Sequence, residues 1–486
     1  MGKYLLFIPL LLGTQYVLSQ EVEKRIQHVE NGLTFQTIVP NGREIPVGNL
    51  AQKLKEYRVP GASVAVVHDG KIQWSKAYGK MTSNGPSPIT TETLFQAASI
   101  GKVITALAAL KVVEEGKIDL DENINNKLMG WKVKENENTK TEKVTLRRLL
   151  SHSAGLTDDY GFLGYSPKDN IPSAVQILKN EYPAKTKKSL AIKTVPGQVE
   201  RYSGAGYVII QVLIEDISGN PFSQYVQEHI LDPFGMVHTT YDNNPDTNLG
   251  SAIASGHLAN GKSLKNKKYN IYPEKAAAGP WTTAEDLARL LIGIQKMIHG
   301  ENTTFINRDL IDEFLSPQIN HKGLGVNLKG LEKPVAFWHA GQNLGYTGLL
   351  YGLMEQGNVA VILLNSDGGE ILAQEFITSV AHEYNWPVMK SYTSQGYSRE
   401  LKAKLIGKYK GPDSPTILVI EENNGVMTLR PSSSKKGHPL LKIDENQYTF
   451  QDAQDYYKLS FTFEDAHCIM TYVEGPGKTM QMEKLD

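Results

Sequence analysis

The sequence predicts an α+β domain followed by a small all-β, barrel-like domain. Three observations carry this. Two strands joined by a tight turn come early, and helical periodicity occupies the middle. Strands then return from Phe337 onward, so one sheet must be assembled from distant segments. Past Ser398 the pattern changes to short alternating strands separated by turn residues, the spacing of a barrel or sandwich.

The elements follow in order. Asn49 to Tyr57 has helical spacing. Gly61-Ala62-Ser63-Val64-Ala65-Val66-Val67-His68 reads as a strand, Asp69-Gly70 as a hairpin turn and Lys71 to Tyr78 as the return strand. Gln96 to Glu115 is predicted to be a helix: Val103, Ile104, Leu107, Leu110 and Val113 recur at helical spacing, and Gly116 can stop it. Thr145 to Leu150, Gly206 to Ile217 and Thr283 to Ile298 read as further helices, with Thr145 and either Thr282 or Thr283 as N-caps. Phe337-Trp338-His339, Gly348 to Leu353 and Ala360 to Leu364 are predicted strands. A boundary falls in Pro387 to Ser398, rich in Ser, Tyr and Gly. Beyond it lie strands at Ile417–Ile420, Val426–Leu429, Tyr448–Phe450, Leu459–Phe463 and Cys468–Val473. The expected organisation is a signal peptide (1–19), a segment of uncertain order (20–48), the main domain (49–388), a linker (389–400) and the β-rich domain (401–486).

Composition narrows the function. The chain has 486 residues, 40% hydrophobic, enough to bury a sizeable core. A net charge of −1 provides no field toward nucleic acid or anionic lipid, so neither is an expected partner. Lys3, the apolar run Tyr4 to Leu12 and Ser19 before Gln20 have the shape of a secretory signal. The run is shorter than the roughly 20 residues a membrane span needs, so no stable insertion is expected after cleavage. Cys468 is the single cysteine, which excludes an intrachain disulfide and is expected to be a packed strand residue. Export without disulfides fits a bacterial periplasm or exterior better than an animal secretory route. Oligomeric state is left open.

The chemistry centres on Ser99-Ile100-Gly101-Lys102. Residues three apart on a helix share a face, so Lys102 would stand beside the Ser99 hydroxyl in the first turn. A serine hydroxyl needs a base to become a nucleophile, and a lysine can serve if burial favours its neutral form. The pattern alone is weak: Ser432-Ser433-Ser434-Lys435-Lys436 contains it twice, in what reads as a polar loop. Tyr202, in Tyr202-Ser203-Gly204 before a helix, could relay protons to a leaving group. His339-Ala340-Gly341 ends a predicted strand, where small residues would let a substrate approach the backbone.

These stretches together resemble the serine β-lactamase and penicillin-binding superfamily, in particular its class C-like branch of D-peptidases and esterases. Ser99-Ile100-Gly101-Lys102 matches the nucleophile motif. Tyr202-Ser203-Gly204 stands where that family has Tyr-x-Asn, and His339-Ala340-Gly341 where it has Lys-Thr-Gly or His-x-Gly. Val59–Val66, Thr145–Leu156 and Ala278–Leu287 are similar too, and the likeness covers roughly Asn49 to Asn385. The resemblance implies a class C β-lactamase-like fold: an antiparallel sheet with helices on both faces and a helical subdomain. It implies that Ser99 forms an acyl-enzyme, with Lys102 and Tyr202 sharing base and acid duties. The backbone N–H groups of Ser99 and Gln342 would form the oxyanion hole, and His339, Gly341, Gly204 and Asn343 would contact substrate. No metal and no organic cofactor are implied; the partner is a small-molecule or peptide substrate. The C-terminal domain resembles the lipocalin-like appendage of some of these hydrolases.

Two departures bear on substrate. Gly204 replaces an asparagine that would hydrogen-bond a substrate amide, a contact worth roughly 1–3 kcal/mol if buried. His339 replaces a lysine that would grip a carboxylate, and histidine is only partly charged at neutral pH. Both argue against an efficient β-lactamase and leave an esterase, a D-aminopeptidase or a D,D-carboxypeptidase. A sensor that acylates and stalls is the alternative from another class. Ser151-His152-Ser153-Ala154-Gly155 imitates an α/β-hydrolase elbow, but its first glycine is missing and a helix precedes it, so Ser153 is expected to be structural. Scattered histidines with no metal-site spacing argue against a metal hydrolase. Specificity is expected in the loops Gly161–Ser189 and Thr247–Lys275.

Overall fold

The computed structural model describes residues 8–35, 38–40, 44–157, 162–186, 190–243, 253–265, 267–301, 304–330, 333–412, 414–450, 457–464, 467–474 and 479–485. The first seven residues of the expected signal, and residues 161, 187–189, 247–252 and 266 of the expected specificity loops, lie outside them. Strands are numbered in chain order: β1 (Ile38–Pro40), β2 (Gly61–His68), β3 (Lys71–Gly79), β4 (Phe95–Gln96), β5 (Trp281–Thr282), β6 (Asn327–Lys329), β7 (Ala336–Asn343), β8 (Tyr346–Leu353), β9 (Val359–Leu364), β10 (Tyr392–Ser394), and β11 to β18 between Gly407 and Leu485.

The main sheet is six-stranded and antiparallel, in the order β3-β2-β9-β8-β7-β6. Its construction starts at the β2–β3 hairpin. Asp69 and Gly70 both take positive φ (51° and 71°), the backbone of a turn whose twist matches its strands. Alternation then sends Val64 and Val66 to one face and Ala65 and Val67 to the other, and both faces are covered. The first face packs on the helices Ile8–Asn31, Leu50–Glu56 and Glu370–Glu383 through residues such as Ile26, Val29, Leu54, Phe376 and Val380. The second packs on the helices Gly101–Glu114, Gly204–Ser218 and Ala284–Ile298. This is the predicted sheet with helices on both faces.

Local signals set several helix starts. Asn49, Thr145, Ser203 and Thr283 each accept a main-chain N–H of the first turn. Thr283 is the cap, while Thr282 Oγ1 bonds Thr239 instead. One expectation fails at the nucleophile: residues 96–100 are not α-helical. Phe95 and Gln96 pair with β5, Ala98 takes φ 51°, and Ala98–Ile100 form a 3₁₀ turn that leads into Gly101–Glu114.

The segment expected to be of uncertain order is partly built into the domain. The helix Ile8–Asn31 runs through the Ser19–Gln20 junction, and Ile26, Val29 and Leu33 are buried in the sheet's first layer. Residues expected as linker also pair: β10 with β1 in parallel, and Gln395 with Lys442. The helix Arg399–Leu405 then leads into a closed barrel, β11 to β18, each strand pairing with the next and β18 with β11. A barrel rather than a sandwich is therefore formed, and it has more strands than the five read from sequence. Tyr409, Met427, Leu429, Tyr448, Phe461 and Met470 fill its interior, and Cys468 is buried among them.

Candidate active site

Ser99 is held by the 3₁₀ turn between β4 and the apolar helix Gly101–Glu114. The turn is strained at Ala98, whose positive φ is costly for a residue with a Cβ and is maintained by the packing around it. Lys102, one helical turn on, is buried, and its Nζ lies 3.0 Å from Ser99 Oγ. The same Nζ donates to the Ala277 carbonyl at 2.7 Å. It also sits over two phenol rings, 5.0 Å from the Tyr202 centroid and 5.3 Å from that of Tyr207. These contacts fix a long, flexible side chain in a single direction.

Tyr202 is 38% exposed and lines the cavity that holds Ser99. His152 positions it. The His152 carbonyl accepts the Arg201 N–H at 2.8 Å, and its Nδ1 accepts the Ser203 N–H at 3.1 Å, so one residue holds both neighbours of the tyrosine. The two rings lie 4.3 Å apart. Because Nδ1 is an acceptor here, the ring proton belongs on Nε2. Burial, and then the Lys102 charge, push His152 well below the usual histidine range and keep it neutral. Tyr207 is buried, donates to the Leu150 carbonyl at 3.0 Å and is pushed up by burial, so it stays a phenol.

β7 forms the opposite wall. β7 and β8 are joined by the two-residue turn Leu344-Gly345, with Asn343 and Tyr346 as the closing pair. Hydrogen-bonded and non-bonded pairs alternate from such a closure, so Gln342 falls in a non-bonded pair and its N–H faces away from β8. That N–H lies on the free edge of β7, next to Gly341, which packs on the turn carrying Ser99; the Ser99 N–H belongs to the first turn and has no intrahelical acceptor. The Gln342 side chain donates to the Asp367 carbonyl at 2.8 Å, which anchors this end of the strand. Gly341 lets the two segments meet: a Cβ there would lie 2.1 Å from the Ala97 carbonyl oxygen.

Other expected site residues are placed differently. His339 is buried in the cavity wall, and its Nδ1–H donates to the Ala340 carbonyl at 2.6 Å. Burial, then the Lys102 charge, push it down to about 3, so it is neutral and cannot hold a carboxylate by charge. Asn343 is buried away from the cavity; its Nδ2 donates to Gln96 Oε1 at 2.9 Å and to the Ala278 carbonyl at 3.2 Å. Gly204 is covered by Phe162, whose ring would lie 2.6 Å from a Cβ at that position. Neither lines the cavity. Ser153 is buried, its hydroxyl 3.0 Å from that of Ser151, and lines no part of the cavity.

The Beta-lactamase family model matches residues 47–380, most of the chain, over the segments that build this site. The chain belongs to the beta-lactamase family. Its superfamily is that of the serine β-lactamases and penicillin-binding proteins, whose members are typically serine hydrolases. Among relatives, Protein flp of Staphylococcus aureus (strain MW2) is 26% identical over 234 residues, 48% of this chain and 45% of that protein. Penicillin-binding protein 4 of Amycolatopsis lactamdurans is 27% identical over 203 residues, 42% of this chain and 50% of that protein. The chain thus spans about half the length of the curated relatives it matches. An octameric penicillin-binding protein homologue from Pyrococcus abyssi shares the fold with a TM-score of 0.56 at 23% identity, covering 90% of this chain and 98% of that one. SurE does so with a TM-score of 0.55 at 20% identity, covering 90% and 97%.

Within this beta-lactamase-family site, sequence reasoning missed His152 and Lys322. His152 was visible only inside the decoy motif. Its role depends on φ 60°, which folds the turn back under Tyr202. Lys322 gave no signal, being one lysine in a loop. It lines the cavity with its Nζ 6.0 Å from the Tyr202 centroid and 3.5 Å from Glu200 Oε1, and it donates to Asn327.

Proposed function

We propose that the chain is an exported serine hydrolase acting through an acyl-enzyme on ester or D-amino-acid amide substrates. The observation that carries it is Lys102 Nζ, buried and 3.0 Å from the Oγ of Ser99, which itself lines the cavity. In its neutral form the amine takes the Ser99 proton as Oγ bonds to the substrate carbonyl carbon. The carbonyl oxygen becomes an oxyanion, stabilised by the Ser99 and Gln342 N–H groups. Collapse breaks the bond to the leaving group, which takes its proton from Lys102 or the Tyr202 hydroxyl. Water then gives a proton to the same pair, attacks the ester and returns Ser99 to its hydroxyl form.

Lys322 favours a second reading, a D,D-carboxypeptidase whose substrate carboxylate meets this cation where His339 supplies no charge. That SurE has been solved with D-Leu supports a D-amino-acid side for either reading. The neutral His339 and the covered Gly204 leave β-lactam hydrolysis the weaker activity. The test is turnover of p-nitrophenyl acetate, a D-alanine p-nitroanilide and nitrocefin beside Ser99→Ala. Sustained turnover lost by at least ~10³-fold in the variant is expected. A single burst from the wild type alone would mark a stalled binder, and activity surviving in Ser99→Ala would end the proposal.

A further inference from the structure

The cavity that holds Ser99 does not stop at the catalytic face of the sheet. β6 pairs with β7 only from Ala336 to Trp338. Among the described residues, the edge of β7 from His339 to Asn343 has no partner strand on that side. Alternation along β7 turns His339 and Gly341 toward Ser99, and Trp338, Ala340 and Gln342 to the opposite face. The cavity, about 730 Å³, follows this free edge around to that opposite face. Its volume is that of a site for a whole small molecule rather than for a reacting bond alone.

The two ends differ in chemistry. Ser99, Tyr202, His339 and Lys322 line the first. Trp338, Leu349, Tyr351, Met389 and Phe35 line the second, with Glu370 and Gln374 of the helix Glu370–Glu383 among its polar members. The leaving group must lie toward Tyr202 and Lys102 to receive its proton. The acyl part, still bonded to Ser99, is then directed along β7 and away from them.

We propose that the substrate carries an apolar acyl arm, an alkyl chain of about six carbons, which passes β7 beside Ala340 and lodges against Trp338, Leu349 and Met389. This rests on the serine-hydrolase reading and names the substrate class of that site. Each methylene buried there strengthens binding by up to about fourfold. The arm contributes in the ground state, so it is measurable without turnover.

The test is calorimetric binding of p-nitrophenyl hexanoate and p-nitrophenyl acetate to Ser99→Ala, which cannot be acylated. The aryl group is common to both esters, so their ratio reads the acyl arm. Hexanoate is expected to bind at least tenfold tighter. Gln374→Trp in that background, filling the apolar end from the helix, is expected to cut the ratio below about threefold. Ala340→Trp fills it from the strand if the first variant melts early. Equal affinities for the two esters, or a tenfold ratio surviving in a folded filling variant, overturn the proposal. Turnover of both esters by the protein with Ser99 intact is measured separately. If neither they nor the D-alanine p-nitroanilide is hydrolysed, the hydrolase reading falls while the binding ratio still decides whether the arm has a site.

Discussion

Gly341→Ala tests the geometry on which the oxyanion hole depends. The added Cβ would stand 2.1 Å from the Ala97 carbonyl oxygen and 3.2 Å from the Ile100 nitrogen. Both are backbone atoms of the turn that carries Ser99, so no side-chain rotation relieves the contact. Restoring ordinary separation requires β7 and the turn to part by roughly 1 Å, and a misplacement of that size costs about 10²-fold in rate. Overpacking of this kind costs about 1–3 kcal/mol of stability, or roughly 2–4 °C of Tm per kcal/mol in a large domain. Gly348→Ala is the control: its Cβ would meet the ends of Ile100 and Leu363 at 2.9 Å, atoms of flexible side chains that can yield. Steady-state kcat for p-nitrophenyl acetate and thermal melts would be compared across the three proteins. A drop in kcat of about 100-fold for Gly341→Ala and under tenfold for Gly348→Ala is expected. Gly341→Ala with normal kcat would show that the two N–H donors do not act from these positions.

The buried histidines predict acid sensitivity. His152 and His339 titrate lower when folded than the usual 6.5, His339 down to about 3. Between those values the unfolded chain binds protons that the folded one does not. Their stabilisation is therefore full above pH 6.5 and lost as pH falls toward 3, by up to about 1.4 kcal/mol per pH unit for each group. Urea unfolding at pH 7 and 5 should show a smaller loss for His339→Gln than for wild type; equal losses would refute the neutral assignment. Gly204→Asn should destabilise by about 1–3 kcal/mol through Phe162, and Phe162→Ala should recover most of it, read by melting of the single and double variants. If the double variant is no more stable than Gly204→Asn, the covering role of Phe162 is wrong. Lys322→Met should lower kcat/KM at least fivefold more for a substrate with a free carboxylate than for its methyl ester, and an unchanged ratio would remove Lys322 from substrate recognition.

What was legible in the sequence was what local chemistry decides. Asp69-Gly70 can hardly be read otherwise, Thr145 and Thr283 cap the helices they precede, and the spacing of Ser99 and Lys102 already placed amine beside hydroxyl. The failures share a cause in contacts between remote segments. Gln96 has helical neighbours, but its backbone pairs with Trp281 and its side chain donates to the Asn270 carbonyl, which hold it extended. Gly341 was read as room for a substrate; it does line the cavity, but the space a side chain would need there is filled by the Ala97 carbonyl, a contact no local signal announces. Nothing in the polar stretch after Gln20 announced that Ile26, Val29 and Leu33 would be buried against the sheet.

The placement of Asn343 behind the cavity wall shows how the site is held. The four-residue helix Lys275–Ala278 is too short to satisfy its own last carbonyls, and three of them in succession accept from side chains in and around the candidate site. Ala276 takes the Thr105 hydroxyl from the nucleophile helix at 2.8 Å, Ala277 takes Lys102 Nζ at 2.7 Å, and Ala278 takes Asn343 Nδ2 at 3.2 Å. One small element thus sets the direction of Lys102, the proposed base, and braces the strand that carries Gln342. Register matters because a one-residue slip of β7 against β8 would turn the Gln342 N–H inward, into the sheet, and leave the oxyanion with one donor. Asn343 guards against that slip with its second bond to Gln96, and Gly345, at φ 91° and packed against Gly256, closes the hairpin where no other residue fits. A side chain that never reaches the cavity can therefore be as necessary to the proposed chemistry as one that lines it.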